Sequence, residues 1–365
     1  MTHTADVAIV GGGIVGSACA HYLSRSGLKC LIIERNHVGC GTTAAGMGHV
    51  VAMDDSDAQL SLCTYSQSLW RRCISEVETD IEHESCGTLW IAADNDELAA
   101  VRRKQSTYAK FGIATQVLDE AQLREAEPEL RQGLAGALRV ASDSVIYSTN
   151  AAVALAKRSS VIQARAKSIA NGLVELADGS KVQSAFVINA CGIGAVELTP
   201  WLPIRLRRGH LAITERMPGF VFHQLVELGY LKAAHGHDTV STAFNVQPRS
   251  TGQALIGSSR EFVGLDASIN RTLLRQMLDS ATKFMPRLSQ KQILRIWTGF
   301  RPATPDNLPI IGRIDDSIYV AAGHEGLGIT TSLATGKLIA DQILGVSTTI
   351  PLEPFLPSRF KNYSA

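Results

Sequence analysis

The opening segment of the chain constrains the fold more than any other part of the sequence. An apolar run at residues 6–10 leads directly into the motif Gly11-x-Gly13-x-x-Gly16. An uninterrupted apolar run predicts a strand of a parallel sheet that is buried on both faces, and the glycines predict a tight turn into a helix. A second apolar run at residues 28–33 predicts the next strand of the same sheet. The chain is therefore expected to begin with a β-α-β unit.

The spacing of the three glycines matches the demands of a dinucleotide-binding turn. Gly11 permits the tight turn, Gly13 lets the backbone approach a pyrophosphate, and Gly16 lets the helix pack closely on the strand. The N–H groups at the start of that helix would face the phosphates. Glu34, 18 positions after Gly16, would accept the ribose hydroxyls. The alternative is a tight β-α turn that binds nothing.

A second glycine-rich turn, at residues 323–328, indicates which dinucleotide is bound. It separates an apolar run at residues 318–322 from an amphipathic helix whose inner face consists of Ile329, Leu333, Gly336, Ile339 and Ile343. The N-terminus of that helix offers a positive dipole end, which suits the negative charge of a reduced flavin. NAD has no comparable need, so FAD is favoured. A turn that only packs is the alternative.

The length of 365 residues exceeds what one hydrophobic core usually holds, so two domains are expected. An apolar run at residues 185–192 predicts that the chain re-enters the first sheet, and the run at 318–322 predicts one more strand there. Alternating apolar and polar residues between 205 and 292 predict antiparallel strands. The charged segment 54–131 is interpreted as solvent-facing helices outside the nucleotide-binding fold.

A nucleotide-binding fold that opens at the N-terminus and closes at the C-terminus must be interrupted. The predicted fold class is therefore α/β combined with α+β: a discontinuous, Rossmann-like FAD-binding domain with an inserted substrate domain built on a mixed or antiparallel sheet. The proposed boundaries assign residues 1–77, 137–204 and 296–365 to the FAD-binding domain and residues 78–136 and 205–295 to the substrate domain.

Charge and cysteine usage exclude several classes of protein. The 35 Lys and Arg residues nearly balance 34 Asp and Glu residues, which argues against nucleic acid or an anionic membrane surface as the main partner. The seven cysteines are scattered without a CxxC pair, so no disulfide framework, zinc site or iron–sulfur cluster is indicated. No apolar run approaches the roughly 18 residues of a membrane span, and a cytoplasmic protein is expected. His235 and His237 are interpreted as loop residues rather than as a metal pair.

Together with the first glycine motif and the C-terminal helix, three further motifs resemble the D-amino-acid oxidase (DAO) family of flavoproteins. They are GTTAAGMG at residues 41–48, NACG at 189–192 and GFRPATPDNLPIIG at 299–312. The matched segments span nearly the whole chain in the family's order. Within the family, the chain is most similar to the β subunits of bacterial dye-linked D-hydroxyproline dehydrogenase, opine oxidase and hydrogen cyanide synthase. Residues 214–218, 323–330 and 354–360 carry that narrower similarity.

The resemblance implies FAD contacts along much of the chain. Ala166 would supply backbone contacts to the adenine, and the turn that begins at Gly323 would line the pyrimidine edge of the flavin. Besides Gly11, Gly13 and Gly16, the implied contacts are Ile14, Val15, Glu34, Arg35, Thr42, Thr43, Gly46, Met47, Gly48, Ala166, Gly192, Gly323, His324, Gly326, Leu327, Gly328, Ile329 and Thr330.

The resemblance also implies that Arg301 holds the carboxylate of the substrate. A guanidinium suits this role because it is always charged and donates two parallel hydrogen bonds. Two positions depart from the glycine oxidase-like pattern: Gly326 replaces an arginine, and Phe244 replaces an active-site tyrosine. The pocket is then less polar, which suits a cyclic imino acid. His49 and Glu325 complete the expected pocket, and the family's hydride transfer requires no His, Asp or Glu as base.

The expected function is FAD-dependent oxidation of a small amino or imino acid, in which a hydride leaves the carbon that bears nitrogen. By resemblance, the favoured substrate is cis-4-hydroxy-D-proline, and the chain is the catalytic β subunit beside an α flavoprotein and a small [2Fe–2S] γ subunit. The alternatives are opine oxidase, glycine or sarcosine oxidase, and a hydrogen cyanide synthase subunit. A flavin-binding subunit without its own catalysis, and an NAD dehydrogenase, are further alternatives.

Overall fold

A computed structural model of the protein describes residues 2–229 and 240–361. His235 and His237, interpreted above as loop residues, lie outside these residues. Its strands are β1 Thr2–Thr4, β2 Val7–Val10, β3 Cys30–Glu34, β4 His49–Val50, β5 Thr88–Ala92, β6 Gln116–Leu118, β7 Gly136–Val140, β8 Ser144–Val145, β9 Ser160–Gln163, β10 Ala166–Ala170, β11 Leu173–Leu176, β12 Lys181–Gln183, β13 Phe186–Asn189, β14 Arg205–Arg216, β15 Gln224–Glu227, β16 Val240–Pro248, β17 Gln253–Glu261, β18 Ile293–Ala303, β19 Ile310–Arg313 and β20 Ile318–Ala322. Its α-helices are α1 Ile14–Arg25, α2 Thr42–Ala45, α3 Asp57–Glu76, α4 Asn95–Lys110, α5 Glu120–Ala126, α6 Ser148–Ala156, α7 Ala195–Leu198, α8 Arg271–Phe284 and α9 Gly328–Leu344. Short 3-10 helices cover Gly192–Gly194, Pro286–Gln290, Glu353–Phe355 and Pro357–Phe360.

The nucleotide-binding sheet has six strands in the order β19-β20-β13-β2-β3-β9. All its strand pairs are parallel except β19 with β20. The opening β-α-β unit, the re-entering strand β13 and the late strand β20 were all predicted from apolar runs, and the structure confirms them. Helices α1 and α9 pack against one face of this sheet. The other face of the six-stranded sheet is covered by the small sheet β1-β12-β11-β10, which contributes Val174, Leu176 and Val182 to the core between them.

Helix α3 corrects the interpretation of segment 54–131 as solvent-facing. It packs into the core of the nucleotide-binding domain, where Trp70 is 1% exposed and donates a hydrogen bond from Nε1 to the carbonyl of Ile329 at 3.2 Å. Ser66 Oγ accepts a hydrogen bond from the N–H of Ala334 at 3.1 Å. The buried face of α3 carries the polar residues Gln59, Ser66 and Gln67, so composition alone made the helix look exposed. The same segment also contains the buried strand β5, which was not predicted.

The second large sheet has eight strands in the order β18-β14-β17-β16-β15-β5-β7-β6. All its strand pairs are antiparallel except β15 with β5, which are parallel. This agrees with the prediction that the substrate domain is built on a mixed or antiparallel sheet. Helix α8, which was not predicted, packs Leu274, Met277 and Phe284 on one face of this sheet. The other face meets the nucleotide-binding domain. Strand β18 crosses the proposed boundary at residue 296, and the domain boundaries stay a prediction.

Among residues 2–229 and 240–361, no helix combines the length and the apolar character that a membrane span requires.

A buried carboxyl group, Asp143, supports the loop that follows β4. Its Oδ1 accepts hydrogen bonds from the N–H of Ala52 at 3.0 Å and from Nε2 of Gln67 at 2.9 Å. Burial raises the pKa of Asp143 to about 6, against these hydrogen bonds and the charge of Lys104, which lower it. The pKa of Asp143 in the folded state is above its ordinary value, so the stability that its protonated carboxyl group contributes is complete at low pH. It is lost as the pH rises through about 6.

We therefore expect the free energy of unfolding of Asp143→Asn, relative to that of wild type, to be higher at pH 7 than at pH 4. A change of this size in pKa corresponds to roughly 3 kcal/mol in the free energy of unfolding. Urea unfolding of both proteins at pH 4, 5, 6 and 7 measures the difference, and the exposed Glu125→Gln serves as control. Parallel pH curves for wild type and Asp143→Asn would contradict the prediction.

Candidate functional site

The motif Gly11-x-Gly13-x-x-Gly16, which spans the turn after β2 and the start of α1, has no space for side chains at two of its three glycines. Gly11 has a φ of 107°, and a Cβ there would lie 2.4 Å from the carbonyl oxygen of Ala190. A Cβ at Gly16 would lie 1.9 Å from the carbonyl oxygen of Gly11, so the helix packs directly on the turn. Gly13 has a φ of −68° and faces the cleft described below. These positions form a backbone-lined cradle of the kind a pyrophosphate requires.

Glu34 is held at the end of β3 by the same turn. Its Oε2 accepts a hydrogen bond from the N–H of Gly12 at 2.8 Å, and its Oε1 accepts one from the N–H of Asn36 at 2.9 Å. The side chain is 7% exposed, and it lines the cleft together with Arg35. A carboxylate fixed at this place is positioned to accept ribose hydroxyls.

The motif at residues 41–48 docks on the start of α1. Thr43 Oγ1 accepts a hydrogen bond from the N–H of Ile14 at 3.0 Å. The carbonyl of Thr43 in turn accepts a hydrogen bond from Ser148 Oγ at 2.8 Å. Two motifs that are about 30 positions apart in the sequence therefore meet at one helix N-terminus.

Helix α2 also docks on the strand that carries Arg301. Thr42 Oγ1 donates a hydrogen bond to the carbonyl of Phe300 at 2.9 Å, and Trp297 Nε1 donates one to the carbonyl of Ala45 at 3.2 Å. A Cβ at Gly299 would lie 2.7 Å from the Cβ of Ala45, so only glycine allows this approach. The expected cofactor contacts and the expected substrate contact are thus linked by direct hydrogen bonds.

Arg301 lies over bare backbone at the wall of the cleft. Its Nη1 donates a hydrogen bond to the carbonyl of Ser259 at 3.0 Å. A Cβ on Gly209, in the neighbouring strand β14, would lie 2.4 Å from Nη1. The glycine therefore creates the space in which the guanidinium lies.

The turn at residues 323–328 places a carboxylate beside this guanidinium. Glu325 forms an ion pair with Arg207, with Oε1 and Nη1 3.2 Å apart, and both side chains are largely buried. Burial alone would raise the pKa of Glu325, but the charges of Arg301, Arg260 and Arg207 lower it below its ordinary value. Glu325 is therefore ionised at neutral pH and offsets part of the positive charge.

Two histidines at the cleft are neutral at pH 7. Burial lowers the pKa of His49 to about 4, and the charge of Arg301 lowers it further, against the effect of a hydrogen bond to the carbonyl of Gly326. The His49 Nε2 is 3.3 Å from that carbonyl oxygen. Burial lowers the pKa of His324 to about 3, and its Nε2 lies 3.0 Å from Thr335 Oγ1. Neither imidazole adds positive charge to the site.

These elements enclose one continuous cleft with an empty volume of about 1670 Å³, its mouth included. Its lining runs from the turn between β2 and α1 to Arg301, so the expected contacts for a dinucleotide and for a substrate face the same cleft. The expected residues that line it are Gly11, Gly13, Ile14, Val15, Glu34, Arg35, Thr42, Thr43, Gly46, Met47, His49, Ala166, Gly192, Arg301, His324, Glu325, Gly326, Gly328 and Ile329.

Five expected contacts lie behind the cleft wall: Gly16, Gly48, Gly323, Leu327 and Thr330. The hydroxyl of Thr330 donates a hydrogen bond to the carbonyl of His49 at 3.0 Å and accepts one from the N–H of Val51 at 3.2 Å. These residues support the wall rather than line it.

The expectation that Phe244 lines the pocket is wrong. Phe244 is fully buried in the core beneath the eight-stranded sheet, stacked on Phe284 of α8 with ring centroids 4.4 Å apart. Neighbouring residues of a strand point to opposite faces, so Asn245 lines the cleft instead. Sequence reasoning missed Asn245 and Ser258, and the alternation along β16 was the signal that could have found the first of them.

The similarity to known proteins agrees with this geometry. The family described as DAO, FAD dependent oxidoreductase, matches residues 6–342. The chain therefore belongs to the DAO family of FAD-dependent oxidoreductases. The cradle of bare backbone at Gly11 and Gly13 and the fixed carboxylate of Glu34, both at one cleft, fit FAD as the cofactor.

Relatives match over nearly the full length. The hydrogen cyanide synthase subunit HcnC of Pseudomonas aeruginosa is 26% identical, over 99% of this chain and 97% of its own length. The glycine oxidase of Geobacillus kaustophilus is 26% identical, over 98% of both chains. A crystal structure of glycine oxidase from that organism superimposes with a TM-score of 0.88 at 24% identity, covering 100% of both chains. The crystal structure of L-proline dehydrogenase from P. horikoshii gives a TM-score of 0.88 at 23% identity, over 99% of both chains. These structures confirm the predicted fold class.

Proposed function

We propose that this enzyme oxidises a small amino or imino acid at the bond between carbon and nitrogen. The observation that carries the proposal is the position of Arg301, on the cleft wall and beside the strand segment that helix α2 contacts. An arginine at this place binds a carboxylate through two charge-assisted hydrogen bonds and so fixes the orientation of the substrate. Bound FAD supplies the hydride acceptor.

The side chains around Arg301 keep the site suited to a substrate with one carboxylate. Glu325 offsets the charge of Arg207, and neutral His49 adds none. A proton on the substrate amine must be lost before the C–N carbon gives up its hydride, because the nitrogen lone pair stabilises the imine that forms. The proposed mechanism assigns no residue of this chain the role of general base.

We favour cis-4-hydroxy-D-proline as substrate, with the chain acting as the catalytic β subunit of a cytoplasmic enzyme that also contains an α flavoprotein and a small [2Fe–2S] γ subunit. The hydrogen cyanide synthase subunit among the relatives supports a role as a subunit. The cysteines of this chain are scattered and form no CxxC pair, so the proposal assigns the iron–sulfur cluster to the separate γ subunit. The glycine oxidase and D-amino acid dehydrogenase relatives support related substrates. Opines, glycine and sarcosine are therefore the alternatives.

Anaerobic reduction of the purified holoprotein tests the proposal. We expect cis-4-hydroxy-D-proline to bleach the flavin absorbance, faster than an opine, glycine or sarcosine at equal concentration. Bleaching by an opine but not by D-hydroxyproline would overturn the favoured substrate. An intact flavin spectrum that none of these compounds changes would overturn the catalytic assignment and support a flavin-binding assembly subunit.

A further inference from the structure

The side chain of Arg301 reaches across a neighbouring strand. Arg301 lies on β18, and β14 lies between β18 and β17 in the sheet. The guanidinium passes over Gly209 of β14 and donates its hydrogen bond to the carbonyl of Ser259 on β17, 3.0 Å from Nη1. Adjacent strands are about 4.8 Å apart, so this carbonyl holds the far end of a long side chain. A displacement of Ser259 would therefore displace the guanidinium.

The strand that carries Ser259 is irregular at this point. The register between β14 and β17 shifts where residues 209–211 of β14 face residues 257–260 of β17. One extra residue in one of two paired strands is a β-bulge, which locally disrupts the ladder of backbone hydrogen bonds. Ser259 therefore depends on contacts outside the regular ladder to hold its position.

His210 of β14 supplies two such contacts. Its backbone N–H donates a hydrogen bond to Ser259 Oγ at 2.9 Å, and its ring Nδ1 lies 2.8 Å from the same oxygen. The other ring nitrogen, Nε2, accepts a hydrogen bond from the N–H of Asn270 at 3.0 Å. Both His210 and Ser259 are completely buried, so these contacts are shielded from solvent.

The contacts of the His210 ring define where its proton lies. A backbone N–H can only donate, so Nε2, which accepts from Asn270, carries no proton. Burial lowers the pKa of His210, against the charge of Glu261, and the ring is neutral at pH 7. A neutral ring then carries its proton on Nδ1 and donates it to Ser259 Oγ. The imidazole thus connects Asn270, the N-cap residue of α8, to the residue whose carbonyl holds Arg301.

His210 and Ser259 lie behind the wall of the cleft. Their neighbours Gly209 and Ser258 line the cleft, whereas they themselves do not. Successive residues of a strand point to opposite faces, and His210 accordingly contacts Asn270 at the start of α8, which packs on the other face of the sheet. Any role of His210 in the reaction is therefore indirect.

We propose that His210, by holding Ser259, positions Arg301 to bind the carboxylate of the substrate. The inference rests on the proposed function, since it assumes that Arg301 binds that carboxylate. Loss of the His210 ring removes one contact of Ser259 and leaves the N–H of Asn270 without its acceptor, so the bulge and the guanidinium shift. A misplacement of about 1 Å can lower a rate about a hundredfold.

Anaerobic stopped-flow reduction of the FAD-bound protein tests the inference in wild type, His210→Ala, Arg301→Gln and the double variant. The substrate is whichever of cis-4-hydroxy-D-proline, an opine, glycine and sarcosine reduces the wild-type flavin fastest. We expect His210→Ala to lower the ratio of the limiting rate constant to the substrate Kd about 10- to 100-fold. In the Arg301→Gln background the same change should alter this ratio less than about threefold, because the group through which His210 acts is gone.

Three controls separate positioning from a loss of stability. A smaller folded fraction lowers the amplitude of flavin reduction but changes neither its rate constant nor the substrate Kd. His210→Asn keeps an amide N–H that can donate to Ser259 Oγ, so it should recover most of the loss. His223→Ala removes another buried histidine, which pairs with Glu127 at 2.8 Å and does not line the cleft, and should leave the rate constant and Kd unchanged.

Four results would overturn the inference while leaving the proposed function intact. The first is a wild-type rate constant and Kd in His210→Ala, and the second is a double variant in which the two single losses multiply. The third is a His210→Asn enzyme as slow as His210→Ala, and the fourth is an equal loss in His223→Ala. If Arg301→Gln reacts as fast as wild type, or if none of the four compounds reduces the wild-type flavin, the proposed function itself is overturned and the inference with it.

Discussion

Replacing Arg301 with glutamine is expected to lower kcat/KM about a thousandfold without loss of bound FAD. The variant removes two charge-assisted hydrogen bonds to the substrate carboxylate, each worth about 1.5–3 kcal/mol, and a thousandfold corresponds to about 4 kcal/mol. FAD is retained because the expected pyrophosphate and ribose contacts lie on other elements, at Gly13 and Glu34. Stopped-flow reduction and the flavin absorbance per protein measure the two quantities.

Two further variants make the result for Arg301→Gln specific. Arg301→Lys keeps the charge but loses the planar fork, so we expect a loss between those of wild type and Arg301→Gln. Arg275→Gln removes an exposed arginine on α8 and should leave kcat/KM unchanged. An Arg301→Gln enzyme within tenfold of wild type would show that the carboxylate binds elsewhere.

Replacing Gly13 with alanine is expected to give a folded protein that binds FAD weakly. The backbone at Gly13, with a φ of −68° and a ψ of 177°, accepts any L residue, so the fold itself tolerates the change. The added Cβ, however, would lie 3.1 Å from Thr43 Oγ1 and project where the backbone must approach the pyrophosphate. Overpacking of about 1–3 kcal/mol raises the Kd for FAD roughly 5- to 150-fold.

Titration of FAD into the flavin-depleted protein measures this effect, and circular dichroism verifies the fold. Gly229→Ala is the matched control, because a Cβ there comes no closer than 3.7 Å to any other side chain of residues 2–229 and 240–361. An affinity of Gly13→Ala within twofold of wild type would mean that the pyrophosphate does not bind at this turn.

The parts of the fold that the sequence predicted are those whose signals are local. The strand at Val7–Val10 is apolar on both faces, and its glycine turn meets steric demands within six residues. Strand Ile318–Ala322 and the helix after it were found in the same way, by an apolar run and a turn rich in glycine. Such signals need no knowledge of distant contacts.

The features of the fold and site that were missed depend on contacts between distant residues or on which face of a strand a side chain lies. Trp70 is buried in a core that includes Ile329, 259 positions away, whose carbonyl accepts the hydrogen bond of its Nε1. The choice between Phe244 and Asn245 depends on which face of β16 meets the cleft, and the register between β16 and β17 shifts between Thr242 and Asn245. A resemblance that places a residue one position off along a strand reverses the direction of its side chain.

The interrupted nucleotide-binding sheet affects the protein while it is being synthesised. Strand β2 ends at Val10, whereas its neighbour β13 begins at Phe186 and β20 begins at Ile318. At about 5–20 residues per second, the first strand leaves the ribosome roughly 15 s to 1 min before the last partner of its sheet. During that interval the sheet lacks helix α9, which packs on one of its faces. The lining of the cleft is complete only after residues 299–329 have been made, so the nascent chain lacks the complete site until synthesis is nearly finished.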